Sequence, residues 1–350
     1  MKINYLILVL LIFVLLSLSC NESSSTQYDN IPAGRRDYIW TVDTINTPYD
    51  AMGRMWGSSP SDIWTTSDGS WDESISHFNG NKWTSFGVTG IIVPWAVYGF
   101  AYNDVYVGAE NGTIWNFNGN SWIKFAELTK DGHSDLHFEN IWGESPDDIY
   151  AFGAYPDQTG AFNETVIAHF NNGSWSMLNT DNLIGYVEHY YKNSPDNKFY
   201  LRLTKIGAPQ FFDSTIIYEY RNDKYYKLYS SKESKGLQAD ISLINNEVYF
   251  ILGNQIARRV NNQFLTILNV DNPNFYQRIW GRNSKDIFLL MTDGLAHYNG
   301  NDVEYLFHFT LGDVKPWTQI FGATLFEQDS FFLVYEPTTH LNLIYHGTLK

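Results

Sequence analysis

The chain has 350 residues, a length that one large β domain can use, and its 44% hydrophobic and 17% aromatic content provides for an extensive buried core. Only 17% of the residues are charged, and the composition excludes a disordered, collagen-like or coiled-coil chain. The 38 acidic and 23 basic residues give a net charge of −15, which argues against nucleic acid or an anionic membrane surface as a partner.

The first residues form a short apolar run after Lys2. The run is shorter than the about 20 apolar residues that cross a bilayer, and it predicts a cleaved export signal over residues 1–19. Cys20 is the only cysteine, and its place after Ser17-Leu18-Ser19 resembles the lipobox of bacterial lipoproteins, although Ser17 stands where an aliphatic residue is usual. The resemblance implies lipidation of Cys20 and a lipid anchor in a membrane of the bacterial cell envelope. An ordinary secretory signal, which would leave the protein soluble outside the cytoplasm, is the alternative.

The segment after Cys20 is polar and rich in Ser up to Pro-Ala-Gly at its end. We therefore assign residues 20–36 to a flexible tether, which as a random coil holds the body roughly 20 Å from its anchor. Residues 37–350 are predicted to form a single domain. They contain no cysteine, so packing rather than disulfides has to stabilise the domain.

Self-similarity is the strongest signal in this domain. An aromatic-Gly pair is followed a few residues later by an Asp that opens a strand-like segment, as at Trp56-Gly57 and Asp62. Such a recurrence predicts copies of one structural unit. The pair recurs at Tyr98-Gly99, Trp142-Gly143, Trp280-Gly281 and Phe321-Gly322, and the Asp recurs at Asp104, Asp148 and Asp286.

A second landmark lies later in the units. An aromatic residue followed by Asn and Gly precedes a Trp that lies five residues after the first aromatic. Asn-Gly between apolar runs predicts a two-residue hairpin turn in which both residues have positive φ. The three clearest examples run from Phe78 to Trp83, from Phe117 to Trp122 and from Phe170 to Trp175.

Two weaker units, near 190–229 and 240–268, bring the number of units to seven. Each unit then has about 45 residues, the length of a four-stranded propeller blade. The last unit supplies three strands, and the segment 37–42, whose Trp40 matches the tryptophans of the other final strands, supplies the fourth. The sequence thus predicts an all-β fold, a seven-bladed β-propeller closed by an N-terminal strand in the last blade.

The repeat resembles that of a broad class of bacterial β-propeller lipoproteins, with Trp-Gly-x-Ser-Pro-x-Asp followed by His-aromatic-Asn-Gly-x-x-Trp, over nearly all of residues 37–350. It is also distantly similar to sialidase-like and photosystem stability-factor-like propellers. The resemblance implies the fold and a place outside the cytoplasm. It implies no activity, because propellers host many functions.

The repeated polar residues are interpreted as structural. His77, His169 and His297 are copies of one repeat position, so we expect hydrogen bonds within each blade rather than a shared metal. The repeated Asp residues are expected in Asx-type turns. A sialidase-type site needs three arginines, and Arg54 and Arg278 are the arginines at equivalent inner-strand positions. With no phosphate-loop, zinc-binding or nucleophile motif, the sequence predicts no metal, no cofactor and no catalytic residue.

The candidate ligand face is the end that carries the longer loops, 126–140, 154–164 and 206–214. Aromatic side chains beside polar ones suit contact with a sugar or a protein. The alternative for Trp95, Phe138, Tyr276 and Trp317 is that they only pack inside the propeller. The candidate ligand-binding residues are Arg54, Trp71, Trp95, Phe138, Tyr155, Tyr276, Arg278 and Trp317.

Two classes of function remain. The favoured hypothesis is a non-catalytic binding or scaffold module of the cell envelope, with an envelope protein or a glycan as its partner and no nucleic acid. The alternative is a glycoside hydrolase or polysaccharide lyase. Such an enzyme would need two carboxylates at a defined separation, and the sequence does not give that distance. The candidate carboxylates are Asp72, Glu73, Glu139 and Glu164.

Overall fold

The computed structural model describes residues 31–48, 52–69, 72–180, 183–207, 211–232, 238–309, 319–336 and 339–350. Within these ranges the chain forms strands that assemble into seven four-stranded antiparallel sheets. No helix in the described part of the chain is long and apolar enough to cross a membrane. The predicted export signal 1–19, Cys20 and most of the tether 20–36 lie outside the described residues.

Six blades consist of four strands that are consecutive in the chain, numbered from the inner strand to the outer one. Blades 1 to 3 contain β2 (Met52–Ser59), β3 (Asp62–Ser67), β4 (Ile75–Phe78), β5 (Trp83–Phe86), β6 (Ala96–Ala101), β7 (Asp104–Gly108), β8 (Thr113–Phe117), β9 (Trp122–Glu127), β10 (His137–Ser145), β11 (Asp148–Tyr155), β12 (Glu164–Asn171) and β13 (Ser174–Met177). Blades 4 to 6 contain β14 (Tyr186–Asn193), β15 (Lys198–Gly207), β16 (Phe211–Arg221), β17 (Lys224–Lys232), β18 (Ala239–Ile244), β19 (Glu247–Leu252), β20 (Gln255–Val260), β21 (Gln263–Asn269), β22 (Phe275–Asn283), β23 (Asp286–Met291), β24 (Gly294–Tyr298) and β25 (Val303–His308).

Blade 7 joins the two ends of the domain. Its inner strands β26 (Gln319–Leu325), β27 (Asp329–Glu336) and β28 (Leu341–Leu349) come from the end of the chain, and its outer strand is β1 (Tyr38–Ile45). Strand β1 pairs with β28 along its whole length. The prediction of a seven-bladed β-propeller closed by an N-terminal strand is confirmed.

The aromatic-Gly landmark marks a bulge in the inner strand. The pairing between the first two strands shifts register directly after Gly57, Gly99, Gly143 and Gly281. A Cβ atom at any of these glycines would lie only 2.5 to 2.9 Å from the carbonyl oxygen of the Asp that opens the second strand. The bulge therefore excludes every residue with a side chain.

The last blade departs from this rule. Thr324 pairs with Phe331 as Trp56 pairs with Trp64 in blade 1. The equivalence assigned to Phe321-Gly322 from the sequence is therefore wrong, because these residues lie three positions earlier in the inner strand. In blade 7 the register shift lies between Ile320 and Gly322 instead.

The Asn-Gly turns have a different geometry from the one predicted. Phe78 pairs with Trp83 across a four-residue turn, in which Gly80 has positive φ and Asn79 does not. The Asn79 side chain accepts hydrogen bonds from the backbone of Asn81 and Lys82, both at 3.1 Å. An Asx turn replaces the expected two-residue turn because this side chain takes the place of a backbone acceptor. The two-residue form occurs at Asn172-Gly173, where both φ angles are positive.

The prediction of a long loop over 206–214 in blade 4 is also wrong. Strands β15 and β16 continue their pairing out to Gly207 and Phe211. The predicted loops of blade 3 do occur, since no strand lies between Glu127 and His137 or between Tyr155 and Glu164.

Each blade contains a polar pair that joins the first residue of its second strand to its third strand. In four blades a His Nε2 lies 2.7 Å from an Asp Oδ1. The expected hydrogen bonds of the histidines are therefore confirmed. The Asp side chains, for which Asx turns were expected, bind across the blade instead. These pairs are His77–Asp62, His169–Asp148, His297–Asp286 and His346–Asp329. The remaining blades have Asn116–Asp104, Lys198–Glu219 and Arg258–Glu247.

The hydrophobic core lies between neighbouring blades. Ile114 of blade 2 packs in one buried cluster with Ile141 and Ile149 of blade 3, and equivalent clusters join the other blades. A single sheet that is apolar on both faces cannot bury either face by itself. In the ring of blades, each face is buried against the neighbouring blade.

Candidate functional site

The inner strands of the blades surround a cavity of about 270 Å³, which we call the mouth. It lies at the end where the inner strands begin, on the side of the long loops of blade 3. Three arginines, three carboxylates and four half-buried aromatic rings line it together with polar side chains. The residues that define the mouth are Arg54, Trp95, Glu139, Glu188, Arg202, Asp240, Tyr276 and Arg278.

A second cavity of about 310 Å³ continues along the inner strands, and we call it the aromatic chamber. Five of its aromatic rings occupy one register position, the inner-strand residue that pairs with the third residue of the second strand. Blades 5 and 7 have Ser242 and Thr324 there instead. These five rings are Trp56, Tyr98, Trp142, Tyr191 and Trp280, and Phe321 of blade 7 lines the chamber as well.

A layer of polar side chains, the polar ring, separates the two cavities. It consists of Arg54, Asn140, His189, Asp240 and Arg278, each two residues before the ring position of its own blade. Three of its members line both cavities. The repeat therefore places polar groups from five blades at one level of the axis.

A buried ionic network connects the polar ring to blade 4. Arg202, on the second strand, forms an ion pair with Glu188 and lies 3.8 Å from Asp240. Arg278 contacts the same two carboxylates, at 3.3 Å and 3.5 Å. Thr204 donates a further hydrogen bond to Glu188 at 3.2 Å. Two guanidinium groups thus neutralise two carboxylates that are almost completely buried.

The two carboxylates differ in acidity. Burial would raise the pKa of Glu188, but the charges of Arg202 and Arg278 outweigh burial and hold this pKa well below its ordinary value. For Asp240 burial prevails over the same two arginines and raises the pKa. Glu188 is therefore the ionised anchor of the network at neutral pH.

Arg54 forms no ion pair within this network, although its positive charge also lowers the pKa of Glu188. Its Nε donates to the backbone oxygen of Glu139 at 3.3 Å, and its backbone N–H donates to the carbonyl of Trp95 at 3.1 Å. Its guanidinium forms no ion pair with a carboxylate of the described residues, and the Glu139 carboxylate lies 3.5 Å from His137. Burial and the charge of Arg54 hold the pKa of His189 well below its ordinary value, so this imidazole is neutral.

The predicted ligand-binding residues fall into three groups. Arg54, Trp95, Tyr276 and Arg278 all line the mouth. Two others are buried elsewhere: Phe138 packs in the core between blades 2 and 3, and Tyr155 stacks on His133. Trp71 and Trp317 lie outside the described residues.

The carboxylates of the enzyme alternative are not brought together. Glu139 lines the mouth, whereas Asp72, Glu73 and Glu164 are exposed and line neither cavity. The third arginine that a sialidase-type site needs is present as Arg202, but the ionic network already engages it.

Sequence reasoning missed Glu188, Arg202 and Asp240. Asp240 could have been found, since it stands two residues before Ser242, the residue that pairs with Tyr249 at the ring position of blade 5. Arg202 has no such signal, because it lies on a second strand and reaches the axis only as the cross-strand neighbour of His189.

Solved structures share this fold at low sequence identity. YCF48 bound to D1 peptide matches with a TM-score of 0.56 at 14% identity, over 90% of this chain and 99% of that one. The WD40 propeller domain of Doa1 gives 0.59 at 12%, over 89% and 97% of the two chains, and streptogramin B lyase gives 0.60 at 14%, over 89% and 98%. No family model and no curated protein matches the chain. At these identities the similarity concerns the β-propeller fold alone.

Proposed function

We propose that this protein is a non-catalytic binding module of the bacterial cell envelope, tethered to a membrane through lipidated Cys20, that binds a segment of a partner protein at the mouth. The observation that carries the proposal is the combination of Trp95, Tyr276 and Arg54 around one cavity. Trp, Tyr and Arg are the residues that contribute most binding energy at protein interfaces.

The polar lining of the mouth favours a peptide segment over a sugar. Peptide groups offer one donor and one acceptor per residue, and the mouth provides hydroxyl and amide groups such as Thr204 and Gln277 beside charges of both signs. YCF48, which has the same fold, has been solved with a bound D1 peptide. A glycan partner, stacked on the aromatic rings, is the competing outcome.

The carboxylates at the mouth support a non-catalytic role. Of the three carboxylates that line the mouth, Glu188 and Asp240 are held in ion pairs by Arg202 and Arg278, whereas a general acid or base has to be free to exchange a proton with substrate. The membrane tether rests on the export signal and on Cys20 as the only cysteine of the chain.

The test uses the full chain in a bacterial host, followed by membrane fractionation and affinity capture from solubilised membranes. Cys20→Ser should move the protein from the membrane to the soluble fraction. Trp95→Ala combined with Tyr276→Ala should lower the amount of captured protein partner at least tenfold, while the melting temperature stays within a few degrees of the wild type.

Tyr102→Ala provides the matched control. Tyr102 is 66% exposed, in the turn between β6 and β7 at the opposite end of the blades, and its loss should leave capture unchanged. The binding proposal is wrong if the double variant captures the same partner as the wild type, or if the captured material is a glycan. Membrane retention of Cys20→Ser would refute the anchor.

A further inference from the structure

We propose that the aromatic chamber is a second ligand site, separate from the mouth, that takes a small two-ring aromatic molecule carrying one carboxylate. The proposal rests on the ring-lined walls, the space between them and the charge of the polar ring.

The aromatic rings give the chamber flat wall surfaces. Trp56, Tyr98, Tyr191 and Trp280 are half-buried although their blades pack around them, and all of them line the cavity. Neighbouring rings approach at angles, with centroids 6.4 Å apart for Trp56 and Tyr98 and 5.9 Å apart for Trp142 and Tyr191. Faces and edges of this kind favour a planar aromatic guest, which finds stacked and edge-on partners at the same time.

The ring wall has two gaps. Ser242 and Thr324 occupy the ring position in blades 5 and 7, and these small side chains leave part of the chamber unfilled. The chamber measures about 310 Å³. An apolar cavity of about 150 Å³ already accepts one benzene ring, so the chamber has room for a two-ring system.

The charge of the polar ring selects an anion. Glu188 and Asp240 are each shared between Arg202 and Arg278, which leaves Arg54 as a third guanidinium that forms no ion pair with a carboxylate among the described residues. Arg54 also lines the chamber. A cationic guest would be repelled at this level, whereas a carboxylate can accept two parallel hydrogen bonds from the Arg54 fork.

The experiment is isothermal titration of the purified full-length protein with three probes that share an indole ring. Indole-3-acetate carries a carboxylate, indole-3-ethanol is neutral and tryptamine is a cation. Indole-3-acetate should bind at least tenfold more tightly than either of the others. Arg54→Gln should remove this preference, and Ser242→Phe, which fills a gap in the wall, should abolish binding.

Two matched control variants test whether adding a ring or removing a positive charge elsewhere in the protein affects binding. Thr84→Phe adds the same ring to an exposed position of β5, and Lys124→Gln removes an exposed positive charge from β9; both should bind like the wild type. Absence of indole-3-acetate binding at millimolar concentration, equal affinity for the three probes, or full binding by a folded Ser242→Phe variant would each overturn the proposal. Binding that Trp95→Ala abolishes and Ser242→Phe leaves intact would place the probe in the mouth and would also overturn it.

Discussion

Single residues on the propeller axis show how charge is balanced where water is scarce. Arg202 has only 4% of its side chain exposed, and its two carboxylate partners are buried to a similar degree. Burying charges is costly, and the cost is recovered only when every charge keeps a partner. Removing one member of such a network is therefore far more harmful than removing an exposed charge.

Arg202→Met should lower the free energy of unfolding by about 3–5 kcal/mol, because it leaves Arg278 alone with two buried carboxylates. Lys124→Met, which breaks an exposed pair with Glu127, should cost less than about 1 kcal/mol. Urea denaturation measures both. A loss below 1 kcal/mol for Arg202→Met would show that the network does not stabilise the fold.

The sequence predicts the mouth only in part, and the reason is physical. Arg54 and Arg278 repeat one inner-strand position, so counting from the aromatic landmark finds them. Phe138 sits at the same end of its inner strand but faces the core between blades, and in a sheet that is buried on both faces the periodicity of the sequence does not distinguish core from cavity.

At the scale of the element, every blade has a polar pair between its second and third strands, but the residue types of the pair differ from blade to blade. In blade 4 the charges are reversed, with Lys198 on the second strand and Glu219 on the third. Blade 5 replaces His with Arg258 opposite Glu247. These are the two units whose repeat is weakest in the sequence. The contact is preserved in both blades because a basic and an acidic side chain still face each other across the second and third strands.

The His–Asp pairs make the free energy of unfolding depend on pH in the acidic range. Burial alone would raise the pKa of Asp62 and of Asp286, but the hydrogen bonds from His77 and His297 and the charges near them outweigh burial and lower both values. A carboxyl that is more acidic in the folded state adds stability above its unfolded pKa of about 4. This contribution is lost as the pH falls through the folded pKa.

Asp62→Asn should therefore lower the free energy of unfolding by about 1.5–3 kcal/mol at pH 7, since a charged hydrogen bond is lost. Its stability should then fall less steeply than that of the wild type below about pH 4. Asp43→Asn, at an exposed position of β1, removes the same formal charge and should retain the wild-type profile. Chemical denaturation at a series of pH values measures the free energy of unfolding of each variant. If this free energy falls equally steeply below about pH 4 for Asp62→Asn and for the wild type, the contribution assigned to the His77–Asp62 pair is wrong.

At the scale of the whole molecule, closure of the ring depends on one strand. Trp40 of β1 packs on Phe307 of blade 6, with ring centroids 4.8 Å apart, and it also covers Gly347 of β28. The strand thus contributes to its own sheet and to the contact with the neighbouring blade. The sequence predicts this strand because Trp40 repeats the tryptophan of the other outer strands.

Trp40→Ala should destabilise the propeller by about 2–3 kcal/mol, less than for a fully buried Trp because the ring is only half-buried. Ile39→Ala, one residue away and 57% exposed, should change stability by less than about 0.5 kcal/mol. Thermal unfolding distinguishes them, and equal melting temperatures for the two variants would show that β1 does not hold the ring closed.

The pairing of β1 with β28 also sets an order of events during synthesis. The outer strand β1 of blade 7 leaves the ribosome before the other six blades, and its partner β28 leaves after them. Until that partner arrives, the nascent chain carries an unpaired strand at one end and an open row of blades at the other, both of which invite association with other chains. Completion of the ring is therefore a late step, and a product that stops short of β28 exposes itself to chaperones and proteases.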